Sequence, residues 1–174
     1  MAKVTALGLA SIEVADVAKS KGTEVWAKLG LTYENTCKMI EEDSTDTEFY
    51  AEEEDDPQEV ITKRGKTTVS WSIMNLTAAT CEKVFGGKYD SPSKTWSAPA
   101  TMNVVEKAVK ITPRIGCTFV IPRTKFKAKI TADFSKQGLF LAECSAVILN
   151  PGSDRGRIEI TDPTEASSAP SENH

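Results

Sequence analysis

A period of two in the segment from Thr67 to Met74 constrains the fold of this chain more than any other feature of its sequence. Large apolar residues alternate there with small hydroxylated ones, in the order Thr68, Val69, Ser70, Trp71, Ser72 and Ile73. Successive side chains of a β-strand point to opposite faces of the sheet, so the segment predicts a strand that packs on a core with one face only. Its hydroxylated face is then left for solvent or for a partner.

The pattern becomes helical directly after this strand. Apolar residues recur at helical spacing up to Phe85, Asn75 or Thr77 can cap the start, and Gly86 ends the run. We predict an α-helix over about 77–85, and we expect it to be the only substantial helix of the chain.

The remaining segments predict strands and turns. Gly65 predicts a tight reversal before the strand, since glycine adopts the positive φ that a reversal needs. Residues 88–103 read as a loop, and Pro122 is expected to end a short strand. Apolar residues alternate with lysines from Phe126 to Phe134, which predicts one strand of a long hairpin with an apolar face on the core.

The fold class that follows is mainly β, an antiparallel β-sandwich or barrel with one flanking α-helix. We predict a single domain over residues 1–161 that carries an acidic arm at 41–57. Residues 162–174 are polar and rich in Pro and Ser, which predicts a flexible C-terminal tail.

Charge is segregated along the chain. Ten of the 25 acidic residues lie between Glu41 and Asp56, a stretch without Lys or Arg, so the other 15 share the rest of the chain with all 21 basic residues. A monomer gains little from this separation except solubility, whereas an assembly can place the acidic arm of one copy against a basic face of the next. The arm is either a solvated loop or a long β-hairpin or loop that orders against a neighbouring subunit.

Three groups of residues are candidates for a subunit interface. They comprise the end of the acidic arm, the hydroxylated strand face and a row of lysines: Glu52, Glu53, Glu54, Asp55, Asp56, Thr68, Ser70, Ser72, Lys125, Lys127 and Lys129. The lysine row could contact phosphates, but a pI of about 5.2 and the lack of interleaved aromatic residues argue against specific nucleic-acid binding.

No catalytic, cofactor-binding or metal site is predicted. The only histidine is the last residue, His174, so a Ser or Cys nucleophile would lack a histidine base. The four cysteines form no CxxC pair, and we interpret them as small buried thiols rather than zinc ligands. The acidic arm lacks the ligand spacing of a calcium loop.

No apolar run is long enough to cross a membrane, and we predict a protein made in the cytoplasm that is not an enzyme.

The order of these features resembles that of the major tail tube proteins of long-tailed bacteriophages. The likeness runs from about residue 49 to 160, through TTVSWSIMN, a helix ending in VFGG, VVEKAVKI, FKAKITADF and AVILNPG. It implies the β-sandwich with one helix that is shared with the type VI secretion tube protein. It also implies rings of six copies, stacked into the hollow tube of a virion tail through which DNA passes without specific binding. Tape-measure and tail-terminator proteins are the further partners implied, with no catalytic residues and no membrane.

Two other functions stay open at this point. One is another structural protein of phage tails on the same fold, such as a baseplate, tail-completion or secretion-tube component. The other is a monomeric β-sandwich that binds a carbohydrate or protein ligand, which predicts exposed aromatic residues gathered in a cleft.

Overall fold

The computed structural model describes residues 6–152 and 155–163. Within these residues the chain forms twelve β-strands and one α-helix. In chain order the elements are β1 Ser11–Asp16, β2 Leu31–Thr32, β3 Lys38–Glu41, β4 Thr45–Tyr50, β5 Pro57–Lys63, β6 Thr67–Met74, α1 Ala78–Phe85, β7 Lys88–Asp90, β8 Thr95–Ser97, β9 Val104–Thr112, β10 Thr118–Ala132, β11 Phe140–Ile148 and β12 Glu159–Thr161.

Eight of the strands form one curled antiparallel sheet. The order is β1-β9-β10-β11-β6-β2, with β3 also paired to β6 and β12 also paired to β10. β1 lies beside β2, so the two ends of the sheet approach each other and the sheet wraps around the core. The prediction of a mainly β fold with a single short helix is confirmed.

Strand β6 lies inside the sheet, between β11 and the pair β2 and β3. Its apolar positions Val69, Trp71 and Ile73 are buried, as the alternation predicts. The Trp71 ring packs against Phe126 of β10, with 5.8 Å between the ring centroids. These two aromatic side chains join strands β6 and β10 in one core.

Helix α1 begins and ends where its capping residues require. The Thr77 hydroxyl accepts a hydrogen bond from the Thr80 amide at 3.2 Å, and Gly86 follows the last turn with a φ of 75°. At the end of the helix, Phe85 packs against Trp96, with ring centroids 5.6 Å apart. Trp96 in turn donates its indole N–H to the Gly86 carbonyl at 2.8 Å, so the helix end and the following segment stabilise each other.

Two segments differ from their predicted structure. Residues 88–103 are not simply a loop, because β7 and β8 pair there as a small antiparallel hairpin. Pro122 does not end a strand either, because β10 continues through it. The register shifts between Ile121 and Thr124, and an irregularity of this kind accommodates a proline that cannot donate to the ladder.

Gly65 is required for a reason other than the predicted one. Its φ is not positive, so the expected left-handed reversal is wrong. Its Cα instead lies against the backbone of Glu42, where an added Cβ would come within 1.9 Å of the carbonyl oxygen. The close approach of two backbones, rather than the φ angle, excludes a side chain at this position.

The apolar face predicted from Phe126 to Phe134 leaves the core partway along β10. Phe126 and Ala128 are buried, whereas Ile130 is 48% exposed and Phe134 is 95% exposed. The far end of the hairpin formed by β10 and β11 therefore extends beyond the core and presents apolar side chains to its surroundings.

A buried arginine holds residues 155–163 against the rest of the fold. Arg155 donates from Nε and Nη2 to the two carboxylate oxygens of Glu159, each at 3.0 Å, and from Nη1 to Glu24. The side chains of Arg155 and Glu24 are 6% and 3% exposed. Strand β12 ends at Thr161. Residues 164–174 of the predicted flexible tail lie outside the described residues.

We expect Arg155→Lys to lower the free energy of unfolding by about 1.5–3 kcal/mol, because an ammonium cannot reproduce the forked contacts to two buried carboxylates. Urea denaturation followed by tryptophan fluorescence measures this loss. Arg64→Lys is the matched control, since Arg64 pairs with Glu41 at 3.5 Å on the surface and exposed pairs contribute about 0–1 kcal/mol. Equal effects of the two substitutions would contradict a structural role for Arg155.

The same cluster predicts a loss of stability in acid. Burial alone would raise the pKa of Glu24, but the hydrogen bond and charge of Arg155 hold it below its ordinary value. The hydrogen bond from Arg155 likewise lowers the pKa of Glu159. The unfolded chain therefore binds more protons between the ordinary value of 4.5 and the lowered folded values. The free energy of unfolding should fall as the pH drops through this window, and less steeply in Glu24→Gln/Glu159→Gln. An unchanged slope in that variant would exclude the cluster as the cause.

Candidate interaction surfaces

A long hairpin projects from the sheet. The pairing of β3 with β6, in which Glu41 lies opposite Thr67, continues through a hydrogen bond from the Glu42 amide to the Lys66 carbonyl at 2.9 Å. It resumes in the same register where Thr45 pairs with Lys63. Strands β4 and β5 pair with each other and with no other strand of the described residues. We call residues 45–63 the ribbon; the part of the predicted acidic arm that lies in it forms a β-hairpin, exposed along both strands.

The ribbon has no cover on either face. Every residue of β4 and β5 is exposed. Phe49 and Ile61 lie on one face and Tyr50 and Val60 on the other, and each is about half exposed. An isolated two-stranded hairpin is marginally stable in water. Apolar side chains on both of its faces therefore favour a ribbon that is completed by a partner.

The ribbon is also strongly acidic. It contains eight carboxylates and one lysine. At its root, Glu41 pairs with Arg64 at 3.5 Å and Glu42 pairs with Lys66 at 3.6 Å. Within the described part of the chain, no carboxylate of the ribbon itself forms a salt bridge. The segment between β4 and β5, which we call the tip, carries the five predicted interface acids Glu52, Glu53, Glu54, Asp55 and Asp56, all of them exposed.

The hydroxylated face of β6 and the lysine row of β10 lie on one face of the sheet, because β11 pairs with both strands. Two rows of facing residues cross these strands. They are Lys127, Ser145, Ser70 and Lys38, and next to them Lys129, Glu143 and Ser72. The structure therefore brings together two groups of predicted interface residues that are about 55 positions apart in the sequence.

These two rows form the floor of a groove of about 580 Å³. Asn35 and Thr36 lie on one side of it and Met102 also lines it. Its charged residues are three lysines, Lys38, Lys127 and Lys129, and one glutamate, Glu143. We refer to this concave surface as the groove; its net charge is positive, although the whole chain carries −4.

The lysines of the groove differ in how they are paired. Lys129 donates to Glu143 at 2.7 Å, and Thr131 donates to the same carboxylate at 2.9 Å. These two hydrogen bonds lower the pKa of Glu143, which stays ionised at neutral pH. Lys38 and Lys127 are exposed, and neither has a carboxylate oxygen within 4.0 Å among the described residues. They are the positive charges of the groove that a partner can still pair.

The other predicted interface residues lie beside the groove or within it. Thr68 and Lys125 lie in the next row on the same face of the sheet, on the side nearer the root of the ribbon. Ser72 is less available than the alternation predicts, because it is 9% exposed. Its amide donates to the Thr36 hydroxyl at 3.1 Å.

Sequence reasoning did not identify Lys38, Glu143 or Ser145 as part of this surface. Glu143 and Ser145 alternate with buried small residues in β11, so a period-two reading of that strand could have found them. Lys38 carries no such signal, because it reaches the groove only through the pairing of β3 with β6.

The cysteines are all free thiols. Burial raises the pKa of Cys144 to about 12 and also raises those of Cys37 and Cys81. A hydrogen bond to Asp162 raises the pKa of Cys117. A raised pKa favours the protonated thiol at neutral pH, whereas the thiolate is the reactive form.

Comparison with known proteins adds no relative. Neither a scan against protein-family models nor a search of curated proteins finds a match to this chain. No helix in residues 6–152 or 155–163 is long and apolar enough to cross a membrane. The ribbon and the groove therefore carry the functional inference.

Proposed function

We propose that this chain is a structural subunit that assembles with copies of itself into rings of six, which stack into the hollow tube of a bacteriophage tail. DNA passes through this tube without specific binding. The subunit is made in the host cytoplasm and resides in the virion tail, with tape-measure and tail-terminator proteins as further partners. It performs no catalysis and needs no cofactor.

The observation that carries the proposal is the ribbon. Its two strands are exposed along their whole length and present apolar side chains on both faces. A monomer gains nothing from such an element and risks aggregation through its unpaired edges. An assembly that repeats the same contact between identical copies removes that exposure.

A second apolar surface supports self-association. The far end of the β10–β11 hairpin exposes Ile130, Phe134, Leu139 and Phe140. Clusters of exposed apolar side chains on a soluble protein mark sites of contact with another molecule. A subunit held in a ring needs at least two different contact surfaces, and the ribbon and this hairpin end lie on different strands of the fold.

The groove offers little support for a monomeric ligand-binding module. That alternative predicts exposed aromatic residues gathered in a cleft. The one aromatic residue that lines the groove is Trp71, which is 3% exposed and belongs to the core.

Sedimentation velocity of the purified chain over a range of concentrations tests the proposal. We expect a reversible or complete shift from a species of 18.9 kDa to one of six times that mass, and to larger multiples at high concentration. A single species of 18.9 kDa at every concentration would contradict self-assembly.

A further inference from the structure

We infer that the groove is the docking site for the acidic tip of a second copy of this chain. The inference rests on the proposed function, since it names the surface that receives the ribbon of a neighbouring subunit. It assigns complementary roles to two sets of residues that do not touch each other within one chain: the tip at residues 52–56, and Lys38 and Lys127 in the groove.

Charge complementarity is the first argument. The pair of Lys129 and Glu143 is already neutral, at 2.7 Å, which leaves Lys38 and Lys127 as the uncompensated charges of the groove. The two lysines lie on the outer two of four adjacent strands, three strand spacings or about 14 Å apart at about 4.8 Å per spacing. A turn with five consecutive carboxylates can pair with both lysines at once, which is the arrangement that opposite patches on associating proteins use.

The polar floor of the groove suits carboxylates as well. Ser70 and Ser145 lie between the two lysines in the same row. Their hydroxyls can donate hydrogen bonds to an incoming carboxylate, since an ionised carboxylate only accepts. The groove thus offers both the charge and the donors that its occupant needs in order to be desolvated without leaving unpaired polar groups.

The occupant comes from another copy because the tip of the same chain lies elsewhere. Lys38 belongs to β3, and the chain runs from there along β3 and β4 away from the groove before it reaches Glu52. Extended strands rise about 3.3 Å per residue, so each residue of β3 and β4 carries the chain farther from the groove. The tip residues are exposed and none of them lines the groove. A neighbouring copy can present its tip without any change in the ribbon.

Charge reversal on each side tests the inference. Lys38→Glu/Lys127→Glu changes the groove, and Glu52→Lys/Glu53→Lys/Asp55→Lys/Asp56→Lys changes the tip, which then carries four lysines and one carboxylate. Each variant alone is expected to weaken self-association at least about tenfold in sedimentation experiments, because like charges then meet. An equimolar mixture of the two variants should regain association, since the reversed tip fits the reversed groove and the unchanged tip fits the unchanged groove. The chain that carries all six substitutions should also associate.

Lys19→Glu/Lys88→Glu is the matched control, because both lysines are exposed and lie outside the groove, the ribbon and the far end of the β10–β11 hairpin. It should associate like the wild type.

If Lys38→Glu/Lys127→Glu proves unfolded by circular dichroism, Lys38→Gln/Lys127→Gln replaces it and should still weaken association. Wild-type assembly together with normal assembly of the groove variants would overturn the inference and leave the proposed function intact. A wild-type chain that stays monomeric would overturn both. If the groove bound a small anion instead of the tip of another copy, mixing the two variants would not restore association.

Discussion

Replacement of the ribbon by a two-residue turn is expected to abolish self-association and to leave the fold of the monomer intact. In this variant Asn-Gly joins Ser44 to Arg64 in place of residues 45–63. Asn-Gly forms the type I′ turn that closes a two-residue hairpin. The root contacts of Glu41 and Glu42 are retained, and no core residue is removed, because the core contains no side chain of the ribbon.

The monomer stability of this variant should lie within about 1 kcal/mol of the wild type, since the removed residues are exposed and surface changes have small effects. Urea denaturation at low concentration measures stability, and sedimentation velocity measures association. The matched control places the same Asn-Gly turn at residues 91–94, between β7 and β8, where association should be preserved. An unfolded ribbon variant would make the ribbon part of the core, and an associating one would show that the ribbon is dispensable.

Phe126→Ala is expected to cost about 3–5 kcal/mol of the free energy of unfolding, the range found for large aromatic residues removed from packed cores. Phe126 is 2% exposed and packs on Trp71. Its removal leaves a cavity in the middle of the curled sheet, and domains of ordinary stability have only about 5–15 kcal/mol in total. Urea denaturation of the dilute protein gives the value.

Phe134→Ala is the matched control for this loss. The two phenylalanines were predicted to share the apolar face of one strand, yet Phe134 is 95% exposed. Its substitution should change monomer stability by less than about 0.5 kcal/mol. Similar losses from the two substitutions would show that the far end of the β10–β11 hairpin belongs to the core after all.

The elements with a strong local pattern were predictable. In the strand from Thr67 to Met74, hydroxylated and apolar residues alternate from Thr68 to Ile73, and the helix that follows has Thr77 at its start and Gly86 at its end. Local chemistry specifies both of them. The continuation of β10 through Pro122 was not predictable, because the irregularity that accommodates the proline depends on the register of β9.

The candidate site was predictable only in part. Charge segregation indicated the acidic tip and the lysine row, since both are visible as runs or alternations in the chain. The groove was not, because Lys38, Ser70 and Ser145 meet through the pairing of strands that lie far apart in the sequence. Sequence periodicity states which face of a strand a residue occupies, but not which strand lies beside it.

Electron microscopy of the concentrated wild-type protein tests the central claim most directly, because it images the assembly itself. The account predicts rings with sixfold symmetry and a central channel, and tubes in which such rings stack, with neither of them formed by the ribbon-deleted variant. Fields of single small particles at every concentration, with or without the other tail proteins, would contradict it.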